Sequence, residues 1–378
     1  MKTVIYVQDM RASGVVRTMI AMARSFAASD EVVLLAGYAA GILGADDVAP
    51  ARFAAARTQA SGPLPRLTVV RDLRRTLREL RPDVILSGGN FGHFSLWAAT
   101  RGLALPVVYV FSNAMERAGQ PLRNRWRRFW SGLLVGGSGG AILVGANLAR
   151  SAVFSRHVAS GKAVLISNGI DLGSIPVAEA TVPGAMAGPD PVILSIGRLQ
   201  PQKNFEGLID AVAIARLQRP VHLVVLGTGS DEYRTALIAH AATRGIADHV
   251  LFAGVTDNVY PWLRAAAVFA LASHWEGSSI ALLEALAAGT PIVASRTAGD
   301  APEVLDEGRY GLLADAGNAA AFAAALLRQI DDPVRPGDRV RDYDAAAMMR
   351  AYHAALIAAM ARAGAGGRPA RAGTPPSR

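Results

Sequence analysis

Short runs of Val, Ile and Leu recur along this chain, separated by stretches in which apolar residues return every three or four positions. The runs predict strands at Thr3 to Gln8, Val32 to Ala36, Leu67 to Val70, Val84 to Ser87, Pro106 to Phe111, Ala141 to Val144 and Val164 to Ser167. The intervening periodicity predicts helices at Val15 to Ala28, Asp72 to Leu80, Phe94 to Arg101, Leu122 to Leu134 and Asn147 to Phe154. The strand runs are almost continuously apolar rather than alternating, which is the pattern of parallel strands covered on both faces. A βαβ succession of this kind builds an open α/β sheet.

The pattern breaks after Gly169-Ile170-Asp171, where Leu172 to Pro191 holds Pro, Gly and Ala without a sustained period and reads as a linker. A second series follows, with strands expected at Val192 to Ile196, Val221 to Leu226, Val250 to Phe252, Val268 to Ala272, Ile292 to Ala294 and Gly311 to Leu313. Tyr343 to Ala361 reads as a helix and Gly364 to Arg378 as a disordered Gly/Pro/Arg tail. The expected organisation is a first domain over residues 1–171, a linker over 172–191, a second domain over 192–342, a helix over 343–362 and a basic tail over 363–378. Two such domains leave a cleft at the carboxyl edges of their sheets, where ligands of open α/β sheets bind.

Composition narrows the classes. A hydrophobic content of 51% excludes a mainly disordered chain, and no apolar run is long and clean enough to cross a bilayer. The opening MKTVIYVQDM passes from one charge directly into a strand-like run, so no signal peptide is expected. Zero cysteines exclude thiol catalysis, thiolate zinc sites and disulfides. The expected location is cytoplasmic, with peripheral attachment to the inner face of the plasma membrane as an extension of it. Charge is uneven: residues 1–168 hold 21 Lys/Arg against 9 Asp/Glu, while the remainder holds 18 against 21. A basic first half suits an anionic partner.

Two stretches of the second series carry candidate chemistry. Ser195-Ile-Gly-Arg198 ends a strand and leads through Leu-Gln-Pro-Gln to Lys203-Asn204 before a helix. Two cations on a loop that enters a helix can neutralise a diphosphate while the helix offers N–H donors; a pair of surface cations beside a turn is the plainer alternative. In HWEGSSIALLEALAAGTPIVAS, Glu276 and Glu284 bracket a Gly-Ser-Ser turn that opens a Leu/Ala helix. Both carboxylates can reach one ligand whose phosphate meets the helix end, or they can be solvated groups on a capped amphipathic helix. Gly227-Thr228-Gly229 follows a strand, but Glu232 stands where a dinucleotide fingerprint has its third glycine, so a nicotinamide site is not expected. Gly254-Val255-Thr256-Asp257-Asn258 is a further turn suited to lie beside a base.

In their order and spacing, SIGRLQPQKNFEGLIDA, VVLGTGSDEYRTAL, the long segment from Phe252 to Ser295, and DAPEVLDEGRYGLLAD resemble retaining GT-B glycosyltransferases of the large family that uses nucleotide-sugar donors, the family four type found in bacterial envelope glycan and polysaccharide biosynthesis. Ser167 to Asp171, SNGID, resembles the motif at the domain junction, and Ser13-Gly14-Val15-Val16-Arg17 a reduced first glycine loop. The resemblance implies an α/β GT-B fold of two Rossmann-like domains with a cleft between them, whose last helix often crosses back to the first domain.

It also implies roles. Arg198 and Lys203 would hold the donor diphosphate and stabilise it as a leaving group, and Glu276 would contact the donor sugar, which makes these three the catalytic set. Glu284 would bind the ribose hydroxyls. Ser278 and Ser279 with the amides of Ile280 and Ala281 would line the sugar and phosphate pocket, joined by Gly229 and Val255. Gly14 would let the backbone of the first domain approach the phosphates. Two cations and a helix end supply the charge stabilisation that a divalent ion gives elsewhere, so neither a metal nor a cofactor is expected. UDP-sugars are the commonest donors of the family, and a hydroxyl of a lipid-linked or cell-envelope glycan, lipopolysaccharide among them, is the expected acceptor.

Where the family often has a histidine after the strand matching Val107 to Val110, this chain reads Phe111-Ser112-Asn113. Neither Ser112 nor Asn113 is a general base near neutral pH, which favours a same-face reaction in which the leaving phosphate takes the acceptor proton. Asn90 and His93, in the loop after Val84 to Ser87, join them as acceptor-side candidates, with His93 equally readable as a cap of the following helix. Asp342-Tyr-Asp344 fits the acidic signature of metal-dependent transferases, yet its place directly before the last helix marks it as a cap. Arg123 to Trp130, RNRWRRFW, combines four arginines with three aromatic rings and suits an anionic membrane surface, an ordinary helix with one arginine-rich face being the plainer alternative. Nothing resembles a base-reading module, so nucleic acid is not expected. The alternatives to a transferase are a nucleotide-sugar epimerase on the same plan and a non-catalytic nucleotide-sugar or membrane-binding protein.

Overall fold

The computed structural model describes residues 1–11, 13–41, 43–57, 65–112, 121–175 and 183–366. The chain divides into two compact units, the first comprising residues 1–144, 148–166 and the chain from Met349 onward, the second residues 145–147 and 167–348.

In the first unit, strands β1 (Lys2–Val7), β2 (Glu31–Tyr38), β3 (Arg52–Arg57), β4 (Val84–Gly88), β5 (Val107–Phe111), β6 (Gly140–Leu143) and β7 (Ala163–Leu165) form one parallel sheet in the order β3-β2-β1-β4-β5-β6-β7. The helices between them are α1 (Gly14–Phe26), α2 (Ala45–Val48), α3 (Pro65–Leu80), α4 (His93–Thr100), α5 (Pro121–Gly136), α6 (Ala146–Arg150) and α7 (Ser155–Ala159). Val4 pairs with Val33 on one side and with Ile85 on the other. Strand order reverses there, so the loops after β1 and β4 flank the switch point of this sheet.

The second unit has β8 (Val192–Ile196), β9 (His222–Leu226), β10 (Val250–Gly254), β11 (Val268–Leu271), β12 (Ile292–Ser295) and β13 (Leu312–Ala314), in the order β10-β9-β8-β11-β12-β13 and again all parallel. Helices α8 (Phe205–Arg216), α9 (Asp231–Thr243), α10 (Tyr260–Ala265), α11 (Ile280–Ala288), α12 (Ala301–Val304) and α13 (Ala319–Asp331) connect them. Separate apolar clusters cover the two faces of the sheet, one around Phe205, Phe252 and Phe322, the other around Phe269, Leu282 and Leu286. Both faces are dry, which explains the continuous apolar strands. Ile193 pairs with Leu223 and with Val268, so the switch point lies between β8 and β11.

Helix α14 (Ala345–Gly366) begins where both carboxylate oxygens of Asp344 accept amides, from Ala346 at 3.2 Å and Ala347 at 3.0 Å. Asp342 instead accepts from Arg339 at 2.7 Å. From Met349 onward the helix belongs to the first unit, where Tyr352 and Leu356 are buried, His353 meets Asp30 at 2.7 Å and Arg362 donates to the Gly139 carbonyl. Gly364 to Gly366, placed in the tail by the sequence, are the last turn of this helix; residues 367–378 lie outside the described ones.

Elements that differ from expectation include a helix turn and an edge strand of the first unit. Leu67 to Val70 is the first turn of α3, whose buried positions Val69, Leu73, Leu77 and Leu80 recur at helical spacing, while Leu67 is exposed. A four-residue apolar run carries no period of its own, and the helical stripe appears only over the full sixteen residues. Strand β3, RFAAAR, was not foreseen because an alanine-rich edge strand has little apolar signal.

Candidate functional site

The site grows from the carboxyl ends of β8 and β11. Ser195, buried near the end of β8, donates to the Ala270 carbonyl of β11 at 2.8 Å and ties the two strands beside the switch point. Beyond β8 the chain crosses the turn after β9: the Leu199 amide donates to the Thr228 carbonyl at 2.9 Å, and Leu199 bridges Gly229. Gly227, at φ +148°, leaves no room for a Cβ against the Gly197 carbonyl, and a Cβ at Gly229 would stand 2.4 Å from the Leu199 carbonyl. These glycines serve a backbone crossing, which is why a third one is not needed. The Gly227 amide donates to the Gly254 carbonyl at 2.6 Å, placing the exposed Val255 beside the same crossing.

Asn204 fixes the entry to α8. It sits in the left-handed region (φ 54°, ψ 46°), its carbonyl oxygen caps the Gly207 amide at 3.3 Å, and its amide nitrogen donates to Ala272 at 3.2 Å and Ala316 at 3.1 Å. Asparagine tolerates this conformation and satisfies three backbone groups at once. The preceding residue, Lys203, thereby lies over Gly197, where an added Cβ would meet its Cε at 2.8 Å.

Lys203 Nζ donates to Glu276 Oε1 at 2.6 Å, the Ser273 hydroxyl donates to the same oxygen at 2.7 Å, and Gln202 Nε2 donates to Oε2 at 3.2 Å. Gln202 also donates to the Trp275 carbonyl at 2.8 Å and accepts the His274 amide through its own carbonyl at 2.9 Å. Glu276 is buried, and three donors hold its charge. Arg198, five residues before Lys203, is exposed and has no acidic partner among the described residues.

Ser279 caps α11 with its hydroxyl on the Leu282 amide at 3.4 Å, leaving the Ile280 and Ala281 amides at the first turn without intrahelical acceptors. Glu284, one turn further, is half-buried near Tyr260, and no hydrogen bond or ion pair holds its carboxylate among the described residues. Burial pushes it up to about 7.

In the first unit, Asn90 accepts the Ser112 amide at 3.4 Å, so these two acceptor-side candidates lie together at the carboxyl edges of β4 and β5; Asn113 lies outside the described residues. The Ser112 hydroxyl is buried without a partner among the described residues. His93 is placed otherwise. It is buried between β4 and β5, Nδ1 meets the Ser87 hydroxyl at 2.8 Å and Nε2 the Val110 carbonyl at 3.0 Å, and its ring packs edge-on against Tyr109 and Phe111. Both nitrogens are engaged within the core, which corrects the expectation that His93 faces an acceptor. Gly14 is the first residue of α1, capped by Ser13, and a Cβ there would meet nothing within 4 Å. No helix of the described residues is long and apolar enough to cross a membrane.

Two family models match in tandem: "Glycosyltransferase Family 4" over residues 12–174 and "Glycosyl transferases group 1" over residues 190–332. The chain belongs to the GT-B glycosyltransferases of this family. The lipopolysaccharide core biosynthesis glycosyltransferase LpsE of Rhizobium meliloti is 39% identical over 143 residues, which is 38% of this chain and 40% of that protein. A D-inositol 3-phosphate glycosyltransferase of Acidothermus cellulolyticus is 37% identical over 38% of this chain and 34% of its own length. The matched segments thus span two fifths or less of these relatives. Among solved structures, HepE of Anabaena in complex with UDP and glucose aligns with a TM-score of 0.78 at 19% identity, covering 94% of this chain and 99% of that one. The lipopolysaccharide outer core galactosyltransferase WaaB aligns with a TM-score of 0.68 at 16% identity over 94% and 99%.

For this GT-B chain, the second unit brings Arg198, Lys203, Glu276, Gly229, Val255 and the start of α11 to one edge of one sheet. Sequence reasoning missed Gln202 and Ser273, which orient Glu276, and Asp300. Gly299 (φ +63°) lies so close to the Glu276–Gly277 backbone that a Cβ would stand 2.6 Å from the Gly277 carbonyl. Asp300 follows directly, 3% exposed, its oxygens sealed from solvent without a hydrogen bond of normal geometry, with the Ser278 hydroxyl and the Ser279 amide facing it. Burial pushes it up to about 7. An aspartate before Ala-Pro reads as a helix cap, yet this one caps nothing, so no local signal marks it.

Proposed function

We propose that this chain transfers a sugar from a nucleotide-sugar, a UDP-sugar by preference, to a hydroxyl of a lipid-linked or cell-envelope glycan with retention of configuration. The observation that carries the reading is the buried Lys203–Glu276 pair beside an exposed Arg198 and the open start of α11. A diphosphate placed there meets Arg198 as a bidentate donor, Lys203 as a cation and the Ile280 and Ala281 amides as the positive end of a helix. Glu276, fixed by Lys203, Ser273 and Gln202, presents its remaining lone pairs to sugar hydroxyls. Glu284, which lacks a protein partner among the described residues, suits the two ribose hydroxyls.

In the proposed reaction the acceptor oxygen bonds to the anomeric carbon on the face from which the phosphate oxygen departs, and the acceptor proton passes to that oxygen. Arg198 and Lys203 stabilise the charge that develops on the diphosphate, so a metal-independent reaction is part of the proposal. UDP in the HepE structure and the lipopolysaccharide role of LpsE support the donor and acceptor classes. An anionic membrane surface against Arg123 to Trp130, on the inner face of the plasma membrane, is the proposed second partner.

The test is a panel of UDP-, GDP- and ADP-sugars incubated with lipid-linked and soluble glycans in the presence of a chelator. Release of nucleotide together with a glycosylated product of unchanged anomeric configuration is expected. Binding without turnover on every acceptor, or an inverted product, sinks the reading.

A further inference from the structure

Residues 84–170 carry nine lysines and arginines and a single acidic residue, Glu116. Within this basic stretch α5 turns Leu122, Trp126, Phe129 and Leu133 to solvent at 82%, 65%, 62% and 43% exposure. Their spacing of four, three and four residues puts them in one stripe along the helix. The stripe is continuous with an aromatic array in which Trp130 packs against Trp97 at 4.9 Å, Phe94 at 5.4 Å and Trp126 at 6.5 Å between centroids. A row of large apolar groups framed by cations on a chain with a well-filled core marks an interaction surface.

Beside the stripe a cavity of ≈ 920 Å³ opens between the carboxyl end of α4, α5 and the α6–α7 connection. Leu103, Leu105 and Leu133 give it apolar walls, Arg101 and Arg156 stand on it, and among the described residues no acidic side chain lines it. Arg101 lies 5.0 Å over the Trp97 ring, and among the described residues neither Arg101 nor Arg156 pairs with a carboxylate. Lys162 donates to the Gly136 carbonyl at 2.6 Å at the end of the cavity, adding a further cation. The lining takes in Val107 at the start of β5 and Gly136 to Ser138 ahead of β6, so the cavity opens at the amino edge of the sheet. Asn90 and Ser112 lie at the opposite edge, which separates this feature from the acceptor-side residues.

We propose that this surface docks on an anionic bilayer and that the cavity is a phospholipid site. The α5 stripe enters the boundary between headgroups and acyl chains. One lipid phosphate lies between Arg101 and Arg156, and its upper acyl chain follows the Leu105–Leu133 wall. Guanidinium groups match phosphate as paired donors, and the aromatic rings with the leucines supply the apolar insertion that charge alone lacks. Nucleic acid offers phosphates but nothing for Leu122 and Leu133, whereas a bilayer offers both. The inference rests on the membrane-partner reading given for Arg123 to Trp130 and replaces a general surface with a defined site.

Flotation of the full chain with phosphatidylcholine vesicles, with and without phosphatidylglycerol, tests it. Wild type is expected to float only with phosphatidylglycerol, R101Q/R156Q to bind roughly tenfold more weakly, and W126S/F129S not to float, all with unchanged circular dichroism. Brominated acyl chains should quench tryptophan fluorescence in wild type and much less in W126F. If R101Q/R156Q floats like wild type while R125Q/R127Q does not, the lipid site is overturned and the Arg123 to Trp130 reading stands. If no protein floats, both are overturned. Tight binding of an RNA oligonucleotide that is lost in R101Q/R156Q, without vesicle binding, also overturns the lipid assignment.

Discussion

Lys203 reaches Glu276 with a 2.6 Å bond from Nζ to Oε1, on side chains only 18% and 9% exposed. The cation assigned to the diphosphate and the carboxylate assigned to the sugar are therefore one electrostatic unit. Removing either leaves the other in a poorly solvated place.

Lys203→Met should accordingly destabilise the protein by about 3 kcal/mol, because Glu276 keeps Ser273 and Gln202 but loses its counter-charge. Adding Glu276→Gln to that variant should recover most of the stability while transfer stays abolished. A double-mutant cycle of thermal melts with parallel turnover assays checks both. Additive destabilisation would show that the pair is not coupled.

Glu284 carries a pH dependence with a defined sign. Its folded value lies near 7 against an ordinary 4.5, so the folded state holds the proton more tightly than the unfolded one between these values. Its contribution to stability is complete below pH 4.5 and is lost as pH rises through 7, a decline of about 3 kcal/mol. Glu284→Gln should raise the melting temperature relative to wild type at pH 8 and change little at pH 4.5. Ribose hydroxyls donate to the carboxylate, so nucleotide affinity should rise from pH 6 to pH 8 in wild type and stay flat in the variant. Calorimetric titration with UDP at several pH values reads this directly.

Much of this was legible in the sequence because several constraints agree. A helix-opening turn, two carboxylates eight residues apart and two cations on a neighbouring loop suit a charged ligand, as proposed for this site. The strands were legible because both faces are dry. Glu276's dependence on Ser273 and Gln202 was not, since these polar residues meet only after β8 and β11 pair. Asp300 is further from reach still: it is buried by Gly299 folding against Gly277, and that approach is a tertiary event. His93 stayed open between an acceptor residue and a helix cap, because only the β4–β5 pairing places Ser87 and Val110 on its two nitrogens.

Gly299 offers a backbone test of the donor turn. Its φ of +63° disfavours any L side chain, by about 1–2 kcal/mol, and an alanine Cβ would also press on the Gly277 carbonyl and the Glu276 carbon at 2.6 and 2.9 Å. Both neighbours are backbone, so relief requires the Glu276 turn to shift. Gly299→Ala should therefore reduce kcat more strongly than Gly14→Ala, whose Cβ enters open space within its own unit. Equal kcat values for the two variants would detach the Gly299 turn from the chemistry.

His93 supplies the last prediction, with the opposite pH sign to Glu284. Burial lowers its folded value to about 4 from an ordinary 6.5, so the unfolded chain takes up the proton first as pH falls. The stability this represents is present above pH 6.5 and lost between there and pH 4, a difference of about 3 kcal/mol. His93→Phe removes the titration but strands the Ser87 hydroxyl and the Val110 carbonyl, which costs about 1–3 kcal/mol near neutral pH. The variant should thus melt lower than wild type at pH 7.5 and lose that deficit as pH approaches 4.5. An acceptor ligand would behave differently, raising the KM for the acceptor while leaving the melting curves parallel at every pH. Melts across pH together with acceptor KM values separate the two roles, and with both ring nitrogens engaged within the first unit the structural outcome is expected.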